Sequence, residues 1–254
     1  MIKILGVTKT YESNSTKIVV FKNLSLSFSD NCVTTILGPN ACGKSTLLFL
    51  IAKILSPDSG EISSGNGKDH TELNSIGLQF QDSYNSLLPW RSVFGNIVFP
   101  LEAQTSGKST QKIKVDSVLE MFNLIEEKDK KLYQLSGGNR QKVAIAQIVA
   151  FDPSIILLDE PFNSFDYTSR IQAQISLREY FVNKKKTVIL VTHNLEEAIF
   201  MSDRIIYLSK LPARVVADIE LADLRKRTYD FQNSDCFLNT RKRLINIIGE
   251  EEKI

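Results

Sequence analysis

Residues 33–46 read VTTILGPNACGKST. An apolar, β-branched run (33–37) stops at Gly38-Pro39-Asn40, and a stretch of helical spacing, LLFLIAKIL (47–55), follows at once. Between strand and helix, Gly38, Gly43, Lys44 and Ser45 stand at the spacing of a phosphate-binding loop. Glycine lets such a loop curl so that its amides converge on phosphate oxygens. The helix predicted to begin near Gly43 adds the positive end of its dipole. In that geometry Lys44 spans the β- and γ-phosphates of a nucleotide, the Ser45 hydroxyl ligates magnesium, and Thr46 reaches the α-phosphate. Pro39, Asn40, Ala41 and Cys42 complete the loop.

Two further stretches extend this reading. IILLDEP (155–161) is an apolar strand that delivers Asp159 to the carboxyl edge of a sheet, where ligands bind in open α/β folds. Beside a phosphate loop, Asp159 is the expected magnesium ligand and Glu160 the general base that polarises the attacking water. Alone, an acidic pair there is more often a solvated loop start. LSGGNRQ (135–141) lies between the two stretches. A second Gly-rich element in that position predicts a nucleotide clamped between two copies of the fold. Ser136, Gly137 and Gly138 open a helix predicted over 140–150 and leave free amides at its start.

At 254 residues the chain fits one large domain or a domain with a lobe. A net charge of +2 from 31 basic and 29 acidic residues predicts no nucleic-acid partner and no strong attraction to a membrane surface. The longest apolar runs fall far short of the ~18 residues of a spanning helix, so any membrane role is expected through a partner. The N-terminus has no signal-peptide pattern. Cys32, Cys42 and Cys236 have no metal-ligand spacing and read as reduced thiols. Cys42, inside the loop, is open to alkylation near bound nucleotide.

Along the chain, residues 2–7, 18–28 and 33–37 read as strands, Pro57-Asp58-Ser59-Gly60 as a turn, and 74–80 as a further strand. A polar loop holding Gly65, Gly67 and His70 lies before that strand. Residues 93–102 and 113–125 read as helices of an inserted lobe, separated by a polar stretch at 104–108. Thereafter helix (140–150), strand (154–158), helix (167–182), strand (187–191), helix (194–201) and strand (204–208) alternate. That alternation argues for a largely parallel sheet covered on both faces. The charged tail ends in a helix-like segment, FLNTRKRLINIIGEE (237–251).

GPNACGKST, LQFQ, LSGGNRQ, IILLDEPFNSFD and VTH occur in the order and spacing of the nucleotide-binding subunits of ATP-binding-cassette (ABC) transporters, and the resemblance covers essentially the whole chain. It implies the P-loop ATPase fold of that family, with a mixed core sheet and an N-terminal antiparallel β subdomain. One domain would span residues 1–254, with a helical lobe over about 83–150 and a short helical tail over about 222–254. It implies a head-to-tail dimer with two ATP molecules at its interface, each touching the phosphate loop of one copy and LSGG of the other. By position, Gln81 resembles the glutamine that contacts magnesium and water and senses the membrane partner. His193 resembles the switch histidine on the γ-phosphate, Asp166 the aspartate that communicates across the dimer, and Tyr11 the aromatic that stacks on adenine. A core or surface tyrosine is the alternative for Tyr11.

Leu87-Leu88-Pro89-Trp90, the following SVFGNIVFPLE, and KLPARVVADIEL (210–221) with RKRT resemble importer ATPases of the nitrate/sulfonate/taurine group, which also includes importers of thiamine-pyrimidine precursors. The implied partners are a transmembrane permease and, indirectly, a solute-binding protein, with the chain at the cytoplasmic face of the membrane. Trp90 reads equally as a buried anchor or a partner contact. Departures are Asn139 and Lys142 in the LSGG segment and NSFD in place of GALD, none of which removes a catalytic group. Asn139 suits a helix start. Repair and translation relatives, exporters and non-hydrolysing scaffolds are the competing readings. A long coiled coil or a second cassette would favour the soluble relatives, and neither is present in the sequence.

Overall fold

The computed structural model describes residues 1–13, 16–64, 76–82, 86–104, 107–221, 227–251 and 253. In chain order the elements are β1 (Ile2–Ser13), β2 (Thr16–Phe28), β3 (Val33–Leu37), α1 (Lys44–Ile51), β4 (Ser59–Ser64), β5 (Ile76–Gln79), α2 (Val93–Val98), α3 (Lys108–Met121), α4 (Gly137–Phe151), β6 (Ile155–Asp159), α5 (Tyr167–Asn183), β7 (Thr187–Thr192), α6 (Leu195–Met201), β8 (Arg204–Leu208), β9 (Val215–Glu220) and α7 (Asp235–Glu251). Contacts divide the chain into a unit of Met1–Leu73 with Arg178–Ile254 and a unit of Asn74–Leu177.

In the first unit, β3 is buried at every position. It pairs in parallel with β7 on one side and β8 on the other, and β9 then pairs antiparallel with β8. The sheet is therefore mixed, as the resemblance implies. With parallel neighbours on both sides β3 has no solvent face, which is why VTTIL does not alternate and even Thr34 and Thr35 are buried. A separate antiparallel sheet has the order β2-β1-β4. In the second unit β5 and β6 form a parallel pair, and α2, α3 and α4 pack on one another. Among the described residues no helix is long and apolar enough to cross a membrane.

Several boundaries differ from the sequence expectation, each for a local reason. α1 starts at Lys44, directly after the loop, and its C-terminus turns through Lys53 at φ 58°. The run 93–102 is not one helix: α2 stops at Val98, and Phe99–Leu101 form a 3-10 turn around Pro100, which has no N–H for an α-helical bond. α3 starts five residues earlier than expected, inside the polar stretch, and ends before Asn123, which adopts φ 54°. The 57–60 turn is half right. Ser59 and Gly60 already belong to β4, whose sequence SGEISS has no apolar alternation to announce an edge strand. β9 was likewise unannounced. The expected loop with Gly65, Gly67 and His70, the first residues of the 74–80 strand, residues 83–85 of the lobe, Thr105 and Ser106, and 222–226 of the tail lie outside the described residues.

Candidate functional site

In the first unit β3 is followed at once by Gly38, where an added Cβ would lie 2.9 Å from the Leu208 carbonyl and 3.1 Å from Cys42 Sγ. The loop turns through Ala41 at φ 60° and Gly43 at φ 103°. At Gly43 a Cβ would fall 2.4 Å from Val20 Cγ1 and 3.0 Å from the Phe21 ring. Glycine is thus imposed there twice, by backbone and by space. Gly43 also precedes α1 with no side-chain cap, so the helix presents uncapped N–H groups, a ready anion site. Buried Lys44 donates to the Gly38 carbonyl at 2.9 Å and the Pro39 carbonyl at 2.8 Å. Its ammonium therefore folds back onto its own loop, whose carbonyls accept the hydrogen bonds that the oxygens of an anion could take instead. Ser45 and Thr46 are half-buried on the first turn of α1, while Asn40 and Ala41 are exposed at the rim.

Cys42 is a correction. Its side chain is buried, and burial pushes the thiol pKa up against the pull of Lys44. A buried, protonated thiol is a poor target for alkylation.

Tyr11, on β1, brings its hydroxyl 3.4 Å from Thr46 Oγ1 and leaves its ring exposed beside the loop. Two residues that the sequence did not single out fix this strand. Asp58 accepts the Thr10 amide at 2.7 Å and the Lys9 ammonium at 3.1 Å, and Lys9 Nζ lies 5.8 Å from the Tyr11 ring centroid. Their signal was the acidic residue closing the turn after α1. His193 is the first residue beyond β7. Because Leu37 pairs with Thr192 in the parallel register, Gly38 and His193 leave neighbouring strands at the same level. Exposed His193 is followed by Asn194, whose Oδ1 caps α6 by accepting the amides of Glu196 and Glu197 at 3.0 Å each.

In the second unit β6 is buried throughout and ends at Asp159. Glu160, nearly fully buried, takes φ 50°, an uncommon conformation for a residue with a long side chain. Gln79 pairs with Leu158, so Gln81 and Glu160, each two residues further on, leave adjacent parallel strands together. Gln81 is exposed.

Ser136, not Asn139, is the cap of α4: its Oγ accepts the Asn139 amide at 3.2 Å. Asn139 is the third helical residue, which corrects its expected place. A Cβ on Gly138 would meet the Ser164 carbonyl at 3.0 Å, whereas one on exposed Gly137 would meet nothing within 4 Å. Asp166 accepts the Ser169 amide at 3.0 Å at the start of α5. That hydrogen bond holds its carboxyl below the usual range.

Trp90 is 69% exposed, so the buried-anchor reading falls. Lys131 Nζ donates to its carbonyl at 2.7 Å.

Among the described residues no cluster of three His, Cys, Asp or Glu could hold a metal. By donor type alone, the Ser45 hydroxyl of the first unit and the Asp159 carboxylate and Gln81 amide oxygen of the second are hard oxygen donors of the kind that magnesium takes.

Residues 21–163 match the family model described as ABC transporter. An uncharacterised ABC transporter ATP-binding protein of Methanocaldococcus jannaschii is 36% identical over 98% of this chain and 92% of its own length. A taurine import ATP-binding protein of Ruegeria pomeroyi is 32% identical over 94% and 90%. Among solved structures, the dimeric ATP-binding cassette MJ0796, in a post-hydrolysis state bound to ADP and Pi, superimposes with a TM-score of 0.78 at 31% identity, over 88% of this chain and 100% of that one. With phosphate loop, acidic strand and LSGG helix in place in the fold, the chain belongs to the ATP-binding proteins of ABC transporters.

Proposed function

We propose that this chain, acting as one ATP-binding domain, is the ATP-hydrolysing subunit of an importer. Two copies close head to tail on two ATP molecules, and their opening and closing drives a separate permease. The observation that carries the dimer is Gly137. Among the described residues nothing lies within 4 Å of a Cβ built on exposed Gly137, which leaves room beside the LSGG segment for a facing copy. Similarity to a cassette solved as a dimer with ADP and Pi supports the same reading.

In this mechanism the amides of the loop and of the first turn of α1 bind phosphate oxygens, and Lys44 exchanges its loop carbonyls for the β- and γ-phosphates. Tyr11 stacks on the adenine. Magnesium, ligated by Ser45, Asp159 and Gln81, would neutralise charge on the β- and γ-phosphates. Glu160 accepts the proton of the attacking water, Gln81 orients that water, and His193 donates to the γ-phosphate. Ser136, Gly137 and Gly138 close over the nucleotide of the facing copy, and Asp166 meets that copy. Relatives named for taurine import support a cargo of the nitrate, sulfonate, taurine or thiamine-pyrimidine precursor class, delivered by a solute-binding protein. The working place is then the cytoplasmic face of the membrane.

Glu160→Gln is the test. With saturating ATP and magnesium, light scattering should find a stable dimer that the wild type forms only transiently. A variant that binds ATP yet stays monomeric would overturn the sandwich.

A further inference from the structure

α6 follows His193 by two residues and is only seven residues long. A helix of under two turns has little stability of its own, so its position depends on what packs against it. On one side β3 and β7 supply that packing, and on another the C-terminal segment does. Buried Arg227 donates from Nη2 to the carbonyl of Ser202, the residue that ends α6, at 3.2 Å. Its guanidinium carbon lies 3.8 Å from the centre of the Phe231 ring. Phe231 meets Phe200 of α6 edge-on at 5.9 Å and Phe237 of α7 at 5.6 Å. The Ser202 hydroxyl in turn donates to Thr35 of β3. At the opposite end of α6, Arg241 of α7 stands 3.6 Å from the Glu196 carboxylate. That pair is half exposed and contributes little, so the grip lies with Arg227 and Phe231.

We propose that residues 227–251 form a brace that sets the position of α6 and, through the Asn194 cap, the direction of His193. Arg227 and Phe231 are then positioning residues for hydrolysis rather than for ATP binding. The inference rests on the reading of His193 as a γ-phosphate contact. The loop itself is held by other groups: among the described residues Lys44 donates to the Gly38 and Pro39 carbonyls of its own loop. Close packing makes a displaced helix settle in a discrete new place rather than relax evenly. A reacting contact moved by about 1 Å can lose a hundredfold in rate.

The experiment uses the full chain with Arg227→Met, Arg227→Lys and, as a milder second perturbation, Phe231→Leu. Arg227→Met should lower kcat about tenfold or more while the KM for ATP stays within about twofold. Arg227→Lys should recover part of the rate, because an ammonium can still donate to the Ser202 carbonyl. His70 and His193 are the two histidines of the chain, so the His193 imidazole resonance can be assigned with His193→Gln and followed directly. It should shift in Arg227→Met and in Phe231→Leu. Wild-type kcat with an unmoved resonance would overturn the brace, as would an equal loss of ATP affinity and melting temperature in both variants. If His193→Gln itself turns over at the wild-type rate, the catalytic role of His193 falls. The brace then stands or falls on the resonance alone.

Discussion

A methyl group added at Gly43 would lie 2.4 Å from Val20 Cγ1 on a backbone at φ 103°, whereas one added at Gly137 would meet nothing within 4 Å. Gly43→Ala should therefore disrupt the loop, lowering ATP affinity more than tenfold in a titration, with a stability loss of about 1–3 kcal/mol. Gly137→Ala should do the opposite to the isolated chain. Alanine inside a helix is favoured over glycine by up to about 1 kcal/mol, so the melting temperature should hold or rise while ATP-driven dimerisation and turnover collapse. A variant equally stable and fully active would show that nothing approaches Gly137. The two glycines read alike in sequence, because spacing reveals a Gly-rich element but not which side of it is crowded. Glu160 is a similar case: the acidic pair was legible, its left-handed backbone was not.

Among the elements, those with a hydrophobic period or a buried run were legible, and those defined by caps or edges were not. β3, β6 and β7 follow from their apolar runs, and the placing of Asp159 and His193 at strand ends follows with them. β4 and β9 escaped because edge strands such as SGEISS need no alternation once one face is covered by a neighbour. The start of α4 was misplaced because both Ser136 and Asn139 can cap, and only the hydrogen bond from the Asn139 amide to Ser136 decides between them. Asp166 at the start of α5 has an acid-dependent part to play. Its carboxyl is held below the usual range by the Ser169 amide, so the unfolded chain takes up that proton first as pH falls. Its contribution is complete above the ordinary carboxylate value of about 3.9 and is lost as pH drops through the lower folded value. Asp166→Ala should melt below wild type at neutral pH, and the gap should close in a series of melts carried below about pH 4.

Over the whole molecule, no copy of the chain can finish the reaction alone if LSGG serves the nucleotide of its partner. Hydrolysis should then depend on ATP cooperatively, with a Hill coefficient rising toward about 2, the number of sites. It should also fall off on dilution, as mass action on a dimer requires. Steady-state rates measured across ATP and protein concentration check both; hyperbolic, dilution-independent turnover would speak for a self-sufficient monomer.

Trp90 is the chain's sole tryptophan, and its indole stands in water just ahead of α2. The protein thus carries an optical signal confined to one place on its surface. Emission should start red-shifted and move to shorter wavelength only when something apolar covers that place. A permease docking on the lobe would be visible in the unlabelled protein, at a site chosen by the sequence rather than by the experimenter.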